Sequence, residues 1–170
     1  YEYAIYNQNL DRGIQSFSVP VGNGVTLSNV GFHAPPQHPG SANDGTVGSA
    51  GFSNAEWASV QAGGAITWGS EAFVVNQNAN AIRWGTLYNF RFDSNRPPQT
   101  MNATVGFYKT GAPVTVQVQG PSPAVPTGPF TLSGRVFAAG GVLPLRGVVV
   151  VLTDQGGNAR TTVTTPFGYY

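Results

Sequence analysis

The residues best suited to metal chemistry lie in one predicted loop. His33 and His38 bracket the run Ala-Pro-Pro-Gln, and Asp44 follows in the same loop. Imidazole and carboxylate groups are ligands that Zn²⁺ and similar ions take in proteins. The spacing matches no standard metal site, however, and the two prolines between the histidines disfavour a preformed chelate. We therefore expect loop histidines that make ordinary hydrogen bonds, with no metal site and no cofactor.

Hydrolytic chemistry has little support among the acidic and nucleophilic residues. Glycoside hydrolysis needs two carboxylates about 5–10 Å apart, and no local motif favours one pair among the seven acids. Ser, His and Asp all occur, but the chain contains no Gly-x-Ser-x-Gly nucleophile elbow. The absence of cysteine excludes disulfides and thiolate catalysis. The sequence predicts that the protein is not an enzyme and has no catalytic residue.

One short motif suggests a covalent modification. Asn102, Ala103 and Thr104 form the acceptor pattern for N-glycosylation. Because a three-residue pattern often occurs by chance, Asn102 is a possible glycosylation site and nothing more.

Aromatic residues offer a third kind of chemistry, which is stacking on sugars. The chain contains Trp57, Trp68 and Trp84 together with seven tyrosines. Large aromatic side chains in alternating strands usually fill the core of a sandwich. We expect all three tryptophans in the core and keep a sugar-stacking platform as the alternative.

Composition limits the partners. Only 9% of the 170 residues are charged and the net charge is +1, so neither nucleic acid nor an anionic membrane is expected to bind. No run approaches the length of about 20 apolar residues that a membrane-spanning helix needs. A surface rich in Gly, Thr and Asn and poor in charge favours an extracellular or cell-surface protein.

Alternation of apolar and polar residues predicts an all-β fold. The strongest signal is residues 81–93, where Tyr88, Phe90 and Phe92 share one face. Seven to nine short strands, including a bulged strand in residues 25–33 and an edge strand at 71–75, indicate an antiparallel, immunoglobulin-like β-sandwich. The long polar run 34–54 predicts a loop, and helix should be nearly absent.

A proline-rich stretch divides the chain. Four of the ten residues in 120–129 are proline, which predicts a semi-rigid linker rather than a central strand. It separates a β-sandwich module at 1–119 from a small, incomplete β module at 130–170. Strands are expected there at 131–138, 145–153 and 159–165.

The short module resembles a known family. The pattern runs from Ser133-Gly134-Arg135-Val136 through Leu145-Arg146-Gly147-Val148 to a Thr-rich strand before Gly168-Tyr169. It is similar to the carboxypeptidase regulatory-like domain, which implies a small transthyretin-like β-sandwich, common in bacterial surface proteins and without catalytic residues. The family continues past this Gly-Tyr with further strands. The long module resembles an uncharacterised module of predicted secreted bacterial proteins.

Geometry motivates the leading functional hypothesis, assembly by strand donation. A module of residues 130–170 is close to the size at which a lone core cannot offset chain entropy, and an unpaired sheet edge recruits other chains. The hypothesis is a structural subunit of an extracellular, pilus-like filament made of copies of this chain. The predicted donor residues are Tyr1, Tyr3, Ile5 and Tyr6, and the predicted acceptor cleft is floored by Val148, Val150 and Leu152.

The alternative hypothesis belongs to a different class. In it the chain is an accessory module that binds carbohydrate or another surface component and belongs to a larger secreted protein or adhesin. Native size and microscopy separate the two, since fibres favour assembly and monomers favour the binding module.

Overall fold

The computed structural model describes residues 1–123, 132–153 and 157–170. Within these ranges the chain forms ten β-strands, one short 3₁₀ turn at Val47–Ser49 and no α-helix. Every strand pair is antiparallel, so the predicted all-β antiparallel fold is confirmed. The chain divides into two compact units, Tyr1–Val125 and Pro126–Tyr170, called unit 1 and unit 2 below.

Unit 1 contains eight strands in two sheets. They are β1 (Glu2–Asn7), β2 (Ile14–Pro20), β3 (Leu27–His33), β4 (Ala58–Ala62), β5 (Ala65–Gly69), β6 (Thr86–Ser94), β7 (Pro98–Phe107) and β8 (Val114–Pro121). One sheet has the order β1-β6-β3 and the other the order β4-β5-β2-β7-β8. The edge strands are therefore β1 and β3 in the small sheet, and β4 and β8 in the large one.

Aromatic side chains from the two sheets form the core of unit 1. Tyr88, Phe90 and Phe92 on β6 are at most 1% exposed, which confirms the predicted face of this strand. From the other sheet, the rings of Phe17 and Trp68 lie 5.2 and 5.5 Å from the Phe90 ring, centroid to centroid. Contacts at this distance are attractive beyond the area that they bury, so the aromatic pairs hold one sheet on the other.

A bulge interrupts β3, as the broken alternation predicted. The register against β6 shifts between Ser28 and Gly31, and Asn29 takes a left-handed backbone with φ of 50°. Its side-chain amide donates to the Asp93 carboxylate at 2.6 Å. A Cβ atom at Gly31 would lie 2.6 Å from Nε of Arg91, so the exposed Arg91 side chain crosses close over this glycine.

Two expectations for unit 1 are wrong. Residues 71–75 form a turn, with the Val75 amide donating to the Ala72 carbonyl, so the predicted edge strand is absent. In addition, β8 continues through Gly120 and Pro121, which had been assigned to the linker. An edge strand tolerates Pro121 because the side of the strand that lacks a partner needs no amide donor. The rest of the predicted linker from residue 124 onward lies outside the described residues.

Unit 2 is a hairpin with bridges around it. Its strands are β9 (Val149–Thr153) and β10 (Ala159–Val163), which pair with each other. Residues 132–138 contribute only isolated bridges, from Arg135 to Tyr169 and from Phe137 to Pro144, so the strand predicted at 131–138 is not formed in the described part. The two strands predicted at 145–153 and 159–165 are present but shorter.

Few side chains of unit 2 are buried. Thr164 is 5% exposed, and its hydroxyl donates to the Leu145 carbonyl at 2.6 Å while accepting from the Val148 amide at 3.0 Å. Many large apolar side chains of the described residues are instead exposed, namely Leu132, Phe137, Val142, Leu143, Leu145, Val149, Val151, Leu152, Val163, Phe167 and Tyr169. Hydrogen bonds around Thr164, rather than an apolar core, organise this unit.

Candidate functional site

The predicted donor segment forms a strand of its own unit. β1 pairs with β6 along its whole length, from Glu2 opposite Arg91 to Asn7 opposite Thr86. Tyr1, Tyr3 and Ile5 pack against the core of unit 1, whereas Tyr6 is 56% exposed on the other face. In the single chain this segment is therefore a built-in part of the small sheet, and giving it to another copy would cost its bonds to β6.

The other edge of β1 has no partner strand among the described residues. Tyr1 and Phe92 exchange two hydrogen bonds, at 2.8 and 3.1 Å, which makes them a hydrogen-bonded pair. Because such pairs alternate along an antiparallel ladder, Glu2, Ala4 and Tyr6 direct their N–H and C=O groups away from β6. β1 therefore offers a row of free backbone donors and acceptors.

An apolar groove lies directly beside this free edge. It has a volume of about 870 Å³ and runs between β1 and the edge strand β8. We call it the edge groove; its lining residues are Tyr1, Glu2, Tyr3, Ala4, Ile5, Tyr6, Phe17, Arg96, Pro98, Val105, Val116, Val118 and Gln119. Val116 is opposite the buried Ala103 of β7 and so faces the core side, yet it is 38% exposed. Among the described residues the small sheet has no strand above β8, which leaves Val116 uncovered.

Tyrosine hydroxyls close part of the groove. The Tyr3 hydroxyl reaches β8 and donates to the Gln119 carbonyl at 2.8 Å, and the Tyr1 hydroxyl donates to the Arg96 carbonyl at 2.8 Å. Burial raises the pKa of Tyr3 above its usual value, with a smaller contribution from Tyr1. Nε of Arg96 is buried without an acceptor among the described residues. The groove thus holds one spare donor besides the backbone of β1.

The predicted acceptor residues lie on β9 and immediately before it. Val148 and Val150 are half-buried, and Leu152 on the same face is 41% exposed. Val149 and Val151 on the opposite face are exposed as well. β9 has β10 on one side and no partner strand on the other in the part of the chain that the structure describes. Apolar residues on both faces and one free edge make β9 a second strand suited to pairing.

The loop histidines and Asp44 do not come together as a ligand set. Asp44 accepts hydrogen bonds from the backbone amides of Ser41 and Thr46 and from the Thr46 hydroxyl, and these bonds lower its pKa. It is therefore a turn-forming residue. No group of three His, Asp or Glu side chains placed to hold a metal occurs in residues 1–123, 132–153 and 157–170.

Asn102 lies on β7 opposite Gln117 of β8, with its side chain exposed. Its neighbour Ala103 is buried, so Asn102 occupies the outer face of the large sheet. Its glycosylation stays a prediction.

A second cavity is lined by Trp84, whose predicted burial is wrong. Trp57 and Trp68 are buried as predicted, but Trp84 is 64% exposed, because it lies in a turn with Gly85, whose φ is 71°. Trp84 lines a cavity of about 460 Å³ that we call the Arg83 pocket; its residues are Leu10, Asp11, Arg12, Gly13, Gly45, Val47, Phe52, Phe73, Gln77, Asn78, Arg83, Trp84, Tyr108 and Lys109. The Trp-Gly dipeptide was the available signal, since a glycine with positive φ ends the alternation that would point Trp84 inward.

Arg83 is held between aromatic rings in this pocket. Its guanidinium carbon lies 3.8 Å from the centre of the Phe52 ring and 5.0 Å from that of Tyr108. Nη2 donates to the Gln77 carbonyl at 3.1 Å. Burial lowers the pKa of Arg83, although a guanidinium stays protonated at neutral pH.

Comparisons of the chain with family models, with curated proteins and with solved structures found no significant match. The resemblance of residues 130–170 to the carboxypeptidase regulatory-like domain therefore stays a prediction. A helix long and apolar enough to cross a membrane is absent from the residues that the structure describes.

Proposed function

We propose that this chain is an extracellular structural subunit that assembles with copies of itself by β-strand addition. The observation that carries the proposal is the backbone edge of β1 that is free among the described residues, beside the exposed Val116 of the edge groove. A strand laid along β1 would receive main-chain hydrogen bonds from β1 and would cover Val116 and Val118 with alternate side chains. The proposed role is structural rather than enzymatic.

The occupant that fits is β9 of a second copy. β9, Val149–Thr153, has five residues and is one residue shorter than β1, so it can pair along nearly all of that strand. Both faces of β9 carry exposed apolar side chains. Each copy then offers one receiving edge, β1, and one entering strand, β9. A contact between two different surfaces of the same chain is heterologous and produces an open polymer when it does not close into a ring.

This proposal revises the direction of the donation predicted from sequence. β1 stays paired with β6 and receives a strand instead of leaving its own sheet. Keeping β1 in place avoids the loss of the β1–β6 ladder and of the packing of Tyr1, Tyr3 and Ile5. The low fraction of charged residues, 9%, supports the extracellular setting.

The decisive variant is Ala4→Pro. Ala4 is exposed, and its amide points away from β6, so proline removes one donor of the free edge and leaves the β1–β6 ladder intact. We expect filaments of the natural chain in negative-stain microscopy and their loss in Ala4→Pro. The matched control is Ala4→Ser, which keeps the amide and should assemble normally.

A second pair of variants tests the proposal independently, in case Ala4→Pro prevents assembly only because it misfolds. Val116→Lys places a charge in the edge groove, whereas Val60→Lys places the same charge on an exposed valine of β4, the opposite edge of the same sheet. The first should prevent assembly and the second should not. A natural chain that is monomeric at all concentrations in sedimentation, or equal assembly of both lysine variants, would contradict the proposal.

Mixing experiments test the head-to-tail geometry. Val151→Lys should block entry of β9 while leaving β1 free, and Ala4→Pro should do the reverse. Each variant alone should be monomeric, but an equimolar mixture should form a dimer and stop there. A mixture that stays monomeric would exclude β9 as the entering strand.

A second function is favoured by a separate observation, the exposed Trp84 in a cavity with polar walls. We propose on this basis that unit 1 also binds a saccharide. Binding of any oligosaccharide that is lost in Trp84→Ala would support it, and the absence of binding to a broad panel of neutral and charged glycans would contradict it.

A further inference from the structure

The charge of the Arg83 pocket is unusual for this chain. Three cationic side chains line it, Arg12, Arg83 and Lys109, against one acidic side chain, Asp11, which gives 3 − 1 = +2. The whole chain carries a net charge of +1. The excess positive charge of the protein is therefore concentrated at one cavity, where it attracts anions over about a Debye length.

Arg83 has no counter-charge among the residues that the structure describes. Asp11 is already paired, since both of its carboxylate oxygens accept from Nζ of Lys109 at 3.0 and 3.1 Å. No acidic side chain of the described residues lies within ion-pairing distance of Arg83. A guanidinium has five N–H donors, and the hydrogen bond to the Gln77 carbonyl leaves several of them for a ligand.

The walls of the pocket are fixed before any ligand arrives. Asn78 accepts from the Val47 amide and donates to the Val47 carbonyl, both at 2.9 Å, which ties two loops together. The Tyr108 hydroxyl donates to the Asn76 carbonyl, and Phe52 holds the guanidinium of Arg83 from the other side. A site with fixed walls binds with a smaller ordering cost than one whose walls must first be ordered.

The ligand class follows from the two groups that remain available. A guanidinium recognises planar carboxylates and tetrahedral sulfates through paired hydrogen bonds. The adjacent indole of Trp84 offers an apolar face of the kind on which the C–H face of a pyranose ring stacks. A ligand that satisfies both is a sugar ring carrying an acidic group.

We propose that the Arg83 pocket binds an anionic saccharide, with the acidic group on Arg83 and the sugar ring on Trp84. This inference rests on the second function proposed above and names the substrate class of that site. It is independent of assembly, because no residue of the pocket lines the edge groove.

The test compares acidic oligosaccharides with neutral counterparts of the same backbone. Titration calorimetry with oligogalacturonate and its fully methyl-esterified form, and with a dextran oligosaccharide in sulfated and unsulfated forms, separates a carboxylate source from a sulfate source. We expect binding of at least one acidic probe, weakened as salt rises, and at least about tenfold weaker binding of its neutral counterpart, as for loss of a charged hydrogen bond.

Two variants locate the binding. Arg83→Gln and Trp84→Ala should each weaken binding of the acidic probe at least about tenfold, while Arg91→Gln, which removes an exposed arginine of β6, should not change it. Only Trp84→Ala should weaken binding of a neutral sugar. Should Arg83→Gln fail to fold, the difference in binding between the acidic and neutral probes on the natural chain still tests whether the ligand is anionic.

The outcomes separate this inference from the function on which it rests. Equal binding of acidic and methyl-esterified probes, lost in Trp84→Ala, would overturn the anionic class and keep saccharide binding. No binding of any probe would overturn both. Acidic binding that is unchanged in Arg83→Gln would place the site elsewhere and overturn the inference.

Discussion

Units 1 and 2 are built from the same kind of strand but are stabilised differently. In unit 1, the aromatic face of β6 meets a second sheet that carries Phe17 and Trp68, and these side chains are buried. In unit 2, β9 is at least as apolar, yet Val149 and Val151 are 60% and 55% exposed. The difference shows that an apolar strand makes a core only when another layer lies across it.

The largest expected effect tests this contrast directly. Phe90→Ala should lower the free energy of unfolding of unit 1 by about 3–5 kcal/mol, because a fully buried aromatic ring leaves a cavity. Val151→Ala in unit 2 should cost less than about 0.5 kcal/mol, as for an exposed side chain. Urea unfolding followed by tryptophan fluorescence measures the first, and hydrogen exchange of unit 2 peptides measures the second. Similar losses of stability in Phe90→Ala and Val151→Ala would contradict the view that unit 1 has an apolar core and unit 2 has none.

The next effect concerns the polar centre of unit 2. Thr164→Val keeps the shape of the side chain but leaves the Leu145 carbonyl and the Val148 amide without the hydroxyl. An unpaired buried polar group costs about 1–3 kcal/mol, so exchange of the β9–β10 amides should become faster. Exchange in unit 1 should not change. Thr162→Val, an exposed position on β10, is the matched control.

Alkaline pH should destabilise unit 1. Burial raises the pKa of Tyr88, so in the folded state its hydroxyl keeps its proton above pH 10, where an unfolded tyrosine releases it. The unfolded state then binds fewer protons, and stability falls as pH rises above about 10, by at most about 1.4 kcal/mol per pH unit for each such tyrosine. Urea midpoints at pH 8, 10 and 11 measure this fall. If stability falls equally steeply with pH in Tyr88→Phe, the fall is caused by groups other than Tyr88.

The smallest effect separates binding from stability within unit 1. Trp84→Ala should change the free energy of unfolding by less than about 0.5 kcal/mol, because the indole is exposed. The same change should abolish saccharide stacking at the Arg83 pocket. Thermal melting and calorimetry on one sample provide both values. A large loss of stability would mean that Trp84 supports the fold, and its role as a binding residue would then need another test.

The sequence was sufficient for features that depend on strand periodicity. The alternation of Tyr88, Phe90 and Phe92 predicted the buried face of β6, and the broken alternation in residues 25–33 predicted the bulge of β3. Both features depend on the local sequence alone, because successive side chains of a strand point alternately to its two faces. The same reasoning wrongly predicted that Trp84 is buried, since Trp84 lies in a turn outside the strand.

Features that depend on neighbouring strands could not be predicted from periodicity. Residues 71–75 alternate like a strand but fold as a turn, in which Val74 is 91% exposed and the Val75 amide donates to the Ala72 carbonyl. Residues 1–7 were correctly read as a strand, but their partner in the chain is β6. The edge groove and the Arg83 pocket join residues from distant parts of the chain, so neither appears as a local motif.

The hydrogen bond between the Tyr3 hydroxyl and the Gln119 carbonyl has a consequence for rates rather than for affinity. The bond spans the groove between β1 and β8, so a strand entering there must first displace it. The equilibrium cost is small, because this hydrogen bond is exposed and water can replace the hydroxyl at the carbonyl. Association that waits for such an opening is slower than collision. Tyr3 would therefore act as a latch, making copies join slowly even at concentrations where the joined state is strongly favoured.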